Sequence, residues 1–151
     1  MKTSHVLMDS VEFIKPFEGL HKVRKDGMIV PYLCPAGHWT IGWGHLCSKA
    51  HPPTTERVCT LYLYSDVIKT LNQVLAVSPK LIDTPNSLVA IVSFTFNLGI
   101  GAYRSSTLRR KVDAQDWEAA RKQIKRWVHG GGKKLPGLVI RRDAEANLLG
   151  T

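Results

Sequence analysis

Cysteine is scarce in this chain. The three that occur, Cys34, Cys47 and Cys59, are too few and odd in number for a disulfide framework, and their spacing fits no zinc pattern. A Cys47–Cys59 bridge stays open as a pairing, with nothing in the sequence to support it. Long apolar runs are missing as well. No stretch approaches the roughly 18 apolar residues of a membrane span. Charges interrupt the opening "MKTSHVLMDSVEFIKPFEG", so it lacks the apolar centre of a secretory signal. The expectation is a product made in soluble form in the cytoplasm, which needs help if it acts elsewhere. There is no internal repeat and no low-complexity segment, and no helix-turn-helix, zinc-finger or RNP signal that would mark a nucleic-acid-binding module.

Acidic residues are in short supply, 12 against 21 Lys and Arg, for a net charge of +9 and a pI near 9.7. Such an excess implies a polyanionic partner. Nucleic acid, an anionic membrane surface and bacterial cell wall all qualify, and charge alone does not choose among them. Much of the excess falls between Arg104 and Arg142, including a basic segment over 115–129 suited to peripheral contact with anionic lipid. What remains is ordinary for a globular protein: 151 residues, 44% hydrophobic and 22% charged, enough for one domain with a core of its own.

Periodicity supplies the outline. Leu7, Met8, Val11, Ile14 and Phe17 fall at helical spacing, and Gly19 is a natural stop. The spacing predicts a helix from about Ser4 or Ser10 to Glu18. Asp26-Gly27 between apolar residues is a hairpin signal, and "HWTIGWGH" (38–45) alternates like a strand. Residues 20–50 therefore read as a small antiparallel sheet region. From Thr55 the pattern turns helical up to Pro79, with Val58, Leu61, Leu63, Val67, Ile68, Leu71 and Val74. Thr84-Pro85 reads as an N-cap and first-turn proline opening a helix that is apolar on nearly every side and is expected at the centre of the protein, ending at Asn97 and Gly99. Short helices follow, one after Ser105 or Ser106 and one over about 115–128, stopped by Gly130–Gly132. A last helix runs from Pro136 to about Leu149. The fold class is α+β: a small sheet lobe, and a larger helical lobe over about 55–151 packed with helix 4–18, joined by a long helix and leaving a cleft between them.

Glu18 closes its helix beside aromatic and aliphatic residues. An acid that protonates a glycosidic oxygen needs a carboxyl group whose pKa is raised toward the working pH, and apolar burial does this. Position alone favours an ordinary surface carboxylate. The neighbourhood changes that weighing. "FEGL" (17–20) followed by "PYLCPAGHWTIGWGH" (31–45) resembles the phage-type lysozymes, endolysins that degrade peptidoglycan. Their signature is a helix-ending Glu, then Asp or Cys, then Thr after five intervening residues. Glu18, Cys34 and Thr40 match it, and "TIGWGH" (40–45) matches the family's TIG-x-GH block. "VSFTFNLGIGAYRSSTLRR" (92–110) and "RWVHGGGKKLPGLVIRRDAE" (126–145) are similar to its later segments, in the same order.

The resemblance implies a lysozyme-like fold and a muramidase that cleaves the bond between N-acetylmuramic acid and N-acetylglucosamine. It implies Glu18 as general acid, Thr40 as the residue that holds the attacking water, and Cys34 as base, nucleophile or water-orienting group. A thiol is a poor base at neutral pH unless a neighbour such as His38, His45 or a lysine lowers its pKa. Fifteen residues separate Glu18 from Cys34 where the family has about eight, an insertion of the kind loops accept; Asp26, within the extra length, is the rival second carboxylate. His45 is expected to pair with Asp66 in a structural ion pair, and Arg141, Arg142 and Glu145 to form scaffold pairs. Tyr32, Trp43, Asn97 and Gly99 are candidate saccharide contacts, with Trp39 beside them, although alternation along a strand sends some of these aromatics to the core. No metal or cofactor is implied. With no signal-anchor visible, a holin pore is expected to pass the folded enzyme from the host cytoplasm to the periplasm, and a monomer is expected. The alternatives are a lytic transglycosylase, a catalytically dead wall-binding protein and a nucleic-acid-binding protein.

Overall fold

The computed structural model describes residues 2–151. Helix α1 (Lys2–Glu18) starts earlier than its apolar spacing suggested and buries Val6, Ser10, Val11 and Ile14. Met8, expected on the apolar stripe, is 55% exposed. The helix stops where Gly19 turns to φ +68° and donates its N–H to the Lys15 carbonyl at 3.0 Å, the left-handed closure that glycine makes without strain.

The sheet is smaller than residues 20–50 implied. Strands β1 (Tyr32–Leu33), β2 (Trp39–Ile41) and β3 (His45–Leu46) pair antiparallel in that order, with Tyr32 opposite Thr40 and Ile41 opposite His45. Asp26-Gly27 does make a turn, but its flanks meet only at the single bridge Val23–Ile29. Pro31 has no N–H, so a ladder cannot run on from Ile29 into β1. Ile29 turns instead to Thr54, exchanging two backbone hydrogen bonds of 2.7 and 2.9 Å.

Helix α2 (Glu56–Val77) is opened by Thr55, whose side chain accepts from the Val58 N–H. Its inward stripe is Cys59, Leu63, Val67, Thr70, Leu71 and Val74, while Leu61 and Ile68 face out at 61% and 43% exposure. A 3-10 turn (Pro79–Asp83) leads to α3 (Pro85–Leu98), in which every residue from Ser87 to Thr95 is buried. It packs against α1, α2 and α7. Pro85 takes the first helical position as expected, but Thr84 does not cap: its hydroxyl donates to the Leu81 carbonyl. Each fully buried Leu, Ile or Phe here contributes about 1.5–3 kcal/mol by leaving water.

Short helices α4 (Ile100–Arg104), α5 (Thr107–Asp113) and α6 (Trp117–Ile124) follow, α5 and α6 capped by Ser106 and Asp116. Helix α6 ends short of Val128. The glycines are not a mere stop: Gly131 and Gly132 take φ +56° and +78° and close a hairpin of β4 (His129–Gly130) and β5 (Lys133–Lys134), because two successive left-handed residues match the twist of a tight hairpin. Helix α7 (Pro136–Leu148) completes the chain's secondary structure. Among the described residues no helix is long and apolar enough to cross a membrane.

Candidate active site

Helix α1 delivers Glu18 at its carboxyl end, but not into an apolar hinge. Its Oε1 lies 2.8 Å from Nη1 of Arg141 on α7, and the Glu18 side chain is 21% exposed against 4% for Arg141. The expected greasy environment is therefore replaced by an ion pair. Sequence reasoning missed Arg141 as the partner of Glu18 and read it only as scaffold. The Arg-Arg-x-x-Glu spacing, which stacks Arg141 and Glu145 one turn apart on α7, was the available signal.

Arg141 is itself held from behind. Its Nη2 donates to the Ser93 carbonyl at 3.1 Å, its Nε donates to the Ser93 hydroxyl at 3.3 Å, and Nε stands 3.4 Å from Glu145 Oε2. The Ser93 hydroxyl donates to that same carboxylate oxygen at 2.6 Å. Arg142 forms a close ion pair with Glu145 at 2.9 Å and donates to Asn97 Oδ1. Arg142 and Glu145 are wholly buried. Burial pushes the Arg142 guanidinium down to about 10, with Glu145 working against that and Arg141 adding to it. Burial likewise pushes the Glu145 carboxyl up, against the pull of both arginines and Ser93. Two guanidinium groups thus face two carboxylates, and Glu18 is the member of the set that reaches the surface.

The sheet supplies the opposite wall. The turn from β2 to β3 needs Gly44, at φ +83°; a Cβ there would stand 3.5 Å from Glu18 Oε2, so the turn lies directly against the carboxylate. Thr40 on β2 is 4% exposed and donates its hydroxyl hydrogen to the Tyr32 carbonyl at 3.3 Å. Cys34 is half-buried at the β1–β2 turn, where its N–H bonds to the His38 carbonyl. Among the described residues no imidazole or ammonium group contacts its sulfur.

His45 meets Asp66: Nδ1 donates to Oδ2 at 2.9 Å, and the imidazole stacks on Tyr62 with ring centres 4.1 Å apart. Trp43 belongs to the core at 6% exposure, with the Lys15 ammonium over its ring; it sits in the turn between β2 and β3, close in sequence to Ile41, which is fully buried. Tyr32 is half-buried against His21, and Trp39 lies under Lys49. Asp26, the rival carboxylate, is tied to Arg24 at 2.6 Å and to the Met28 N–H in the exposed loop tip. These contacts hold its carboxyl below its ordinary range, as suits a conformational turn residue.

Two open depressions adjoin the Glu18 region. One, of about 470 Å³, includes Phe17, Glu18, Asn97, Leu138, Ile140 and Arg141 in its lining. The other, of about 570 Å³, includes Gly44, His45, Asp66, Gln73, Phe96 and Gly99. Glu18 lines the first, and Gly44, at its carboxylate, lines the second. Lys69, Gln73 and Phe96 were not anticipated as lining residues; only the end-of-helix position of the last gave a hint.

Residues 16–145 match the family model described as phage lysozyme. An endolysin of Acyrthosiphon pisum secondary endosymbiont phage 1 is 32% identical over 149 residues, covering 95% of this chain and 97% of the relative. A SAR-endolysin of Bacteriophage PS119 is 34% identical over 135 residues, covering 87% of this chain and 77% of the relative. Among solved structures, the muramidase domain of SpmX from Asticaccaulis excentricus superposes with a TM-score of 0.76 at 29% identity, covering 95% of each chain. The chain belongs to the phage lysozyme family and is, by that membership, a muramidase-type glycoside hydrolase acting on peptidoglycan.

Proposed function

We propose that Glu18 is the general acid of an endolysin that cleaves the β-1,4 bond between N-acetylmuramic acid and N-acetylglucosamine, and that Thr40 orients the attacking water. The observation that carries this reading is the placement of the Glu18 carboxylate between Arg141 on the helical side and Gly44 on the sheet side, with an open depression adjoining each. A polymer laid across both depressions brings an internal bond to the carboxyl group. Glu18 gives its proton to the leaving oxygen as the bond from that oxygen to the anomeric carbon breaks; water adds to the same anomeric carbon, and the proton it sheds passes through solvent to restore the Glu18 carboxyl. The Thr40 hydroxyl spends its hydrogen on the Tyr32 carbonyl, which leaves its lone pairs to accept from the water.

Cys34 helps to orient the water in this scheme; among the described residues no imidazole or ammonium group contacts its sulfur. Asn97 and Gly99 border the saccharide path and Tyr32 flanks it; the His45–Asp66 pair fixes the groove wall. The proposed active unit is a monomer. Its substrate lies outside the cytoplasmic membrane, so a holin pore is the proposed route from host cytoplasm to periplasm, with the basic surface adding contact to anionic lipid.

Turbidity clearing of permeabilised Gram-negative cells by the parent, Glu18→Gln and Cys34→Ser tests the assignment. Loss in Glu18→Gln with clearing retained by Cys34→Ser is the expected pattern; clearing by Glu18→Gln would remove the acid. Mass spectrometry of the products separates hydrolysis, which leaves a reducing end, from a lytic transglycosylase, which leaves an anhydro end. Co-expression with and without a holin tests the export route: lysis that needs no holin would overturn it.

A further inference from the structure

The segment from Gly19 to Pro31 takes no part in the mechanism above, yet both of its ends lie at the site. It leaves α1 next to Glu18 and returns to β1 at Tyr32. Its return is anchored by Ile29, fully buried and doubly hydrogen-bonded to Thr54. Its tip is closed by Asp26, which accepts from the Arg24 guanidinium and from the Met28 N–H. An arm fixed at base and tip has already lost much of the conformational entropy that a floppy loop would lose on binding.

What the arm shows to water is cationic. Residues 21–27 are all exposed. Arg24 is occupied by Asp26, whereas the Lys22 and Lys25 ammonium groups have no partner among the described residues. Lys22 is held at φ +56°, an uncommon conformation for a non-glycine residue, where the Val30 N–H bonds to its carbonyl. His21 folds back on the site: its Nε2 lies 3.0 Å from the Glu18 carbonyl, and its ring centre is 4.9 Å from that of Tyr32. A carbonyl only accepts, so Nε2 carries the hydrogen.

We propose that Lys22 and Lys25 form a specificity site for the carboxylate-bearing peptide branches of the wall, with His21 joining this arm to the catalytic groove. The proposal rests on the muramidase reading. Charge complementarity selects the occupant. The sugar backbone offers mainly hydroxyl and acetamido groups, whereas the ionised carboxylates sit on the peptides, and an unpaired lysine is a compact point charge suited to them.

The test compares intact peptidoglycan with the same material stripped of peptide by an amidase and then treated with carbodiimide and methylamine, which caps as methylamides the lactyl carboxylates that the amidase frees. Lys22→Gln/Lys25→Gln keeps a polar side chain, one atom shorter, removes both charges and leaves His21 and Glu18 untouched. Expected is a rise in KM of about 3–10-fold on intact wall, the size of two screened surface contacts, with kcat unchanged and with KM on stripped glycan unaltered. Equal rises on both substrates would assign the lysines to the sugar chain, and no rise on either would assign them no role; each result overturns the proposal. Co-sedimentation with both materials, in a Glu18→Gln background, reads the arm without catalysis. There the lysine substitutions should weaken binding to intact wall about 3–10-fold and leave binding to stripped glycan alone. Failure of the parent to release reducing ends from either material would sink the muramidase reading, while the sedimentation comparison still decides for or against the arm.

Discussion

Arg141 Nη1 stands 2.8 Å from Glu18 Oε1 although 123 positions separate the two residues in sequence. The contact joins the end of the first helix to the last helix, and it sets the carboxylate of the proposed acid beside a guanidinium that is itself pinned by Ser93 and Glu145. Position, more than apolar burial, is what the fold gives Glu18.

Arg141→Ala should therefore be costly twice over. It opens a space where a 4%-exposed side chain was and leaves Glu18 and Glu145 each short of a partner, a loss of about 3–5 kcal/mol in stability. Arg141→Lys keeps the charge but not the planar fork. It should remain folded and clear cells about 10–100-fold more slowly, the scale of a misplaced reacting group. Thermal melting and clearing rate, measured together, check both; full activity in Arg141→Lys would remove the positioning role.

Asp66→Asn is expected to act on stability more than on turnover. The His45–Asp66 contact is about 30% exposed on each side (28% and 31%), so screening limits it to about 1 kcal/mol, a fall of roughly 2–4 °C in Tm for a chain of this size. His45 also stacks on Tyr62, which should keep the imidazole in place when the carboxylate is gone. An unchanged Tm would refute the structural role.

How much of this was legible beforehand follows from the range of the interactions. Helices α2, α3 and α7 were readable because the apolar period and the boundary residues Thr55, Pro85 and Pro136 are local signals. The extent of the sheet was not, since Pro31 cut the ladder and Ile29 found a partner in Thr54, beyond any local pattern. The β4–β5 hairpin was readable in principle: Gly131-Gly132 is a tight-turn dipeptide, taken instead as a helix stop because basic, exposed Lys133-Lys134 carries no strand alternation. At the site, Glu18, Cys34 and Thr40 were named from motif spacing, and the His45–Asp66 contact from the same resemblance. The ion pair that replaces the apolar pocket around Glu18 had a signal only at its far side, in the Arg-Arg-x-x-Glu spacing on α7; nothing near residue 18 points to a charge from the other end of the chain. Trp43 shows the converse: an aromatic in a glycine-flanked strand turn reads as a sugar platform until the facing core is seen.

The thiols should differ in reactivity from free cysteine, with a sign set by burial. Burial raises the Cys47 thiol above its ordinary range, and burial followed by the charge of Glu56 raises that of Cys59, which is 1% exposed. The thiolate is the reacting form, so a raised value means less thiolate at any given pH and a rate that climbs only at higher pH. Iodoacetamide at pH 8 with peptide mass mapping should show both labelled more slowly than free cysteine, Cys59 last. Prompt labelling of Cys59 in the native protein would contradict its place on the inner face of α2.

Gly42 presents the sharpest steric test. It holds φ +64°, and a Cβ there would fall 2.7 Å from Cys59 Cβ and 2.8 Å from its Sγ. Gly42→Ala thus forces the β2–β3 turn away from α2 and adds the strain of a left-handed alanine, together about 2–4 kcal/mol. Trimming the partner distinguishes backbone proximity from a side-chain clash. Cys59→Ala removes the sulfur but retains the Cβ at 2.7 Å, so the double variant Gly42→Ala/Cys59→Ala should recover little of the lost stability. Cys59→Gly in the same background removes the Cβ as well and should recover more of the clash, net of the helix penalty of about 1 kcal/mol for glycine. Denaturant melts of the parent, the three single variants and the two double variants give both couplings; full rescue by Cys59→Ala would show that the sulfur alone, and not the close approach of strand turn to helix, demands a glycine at this position.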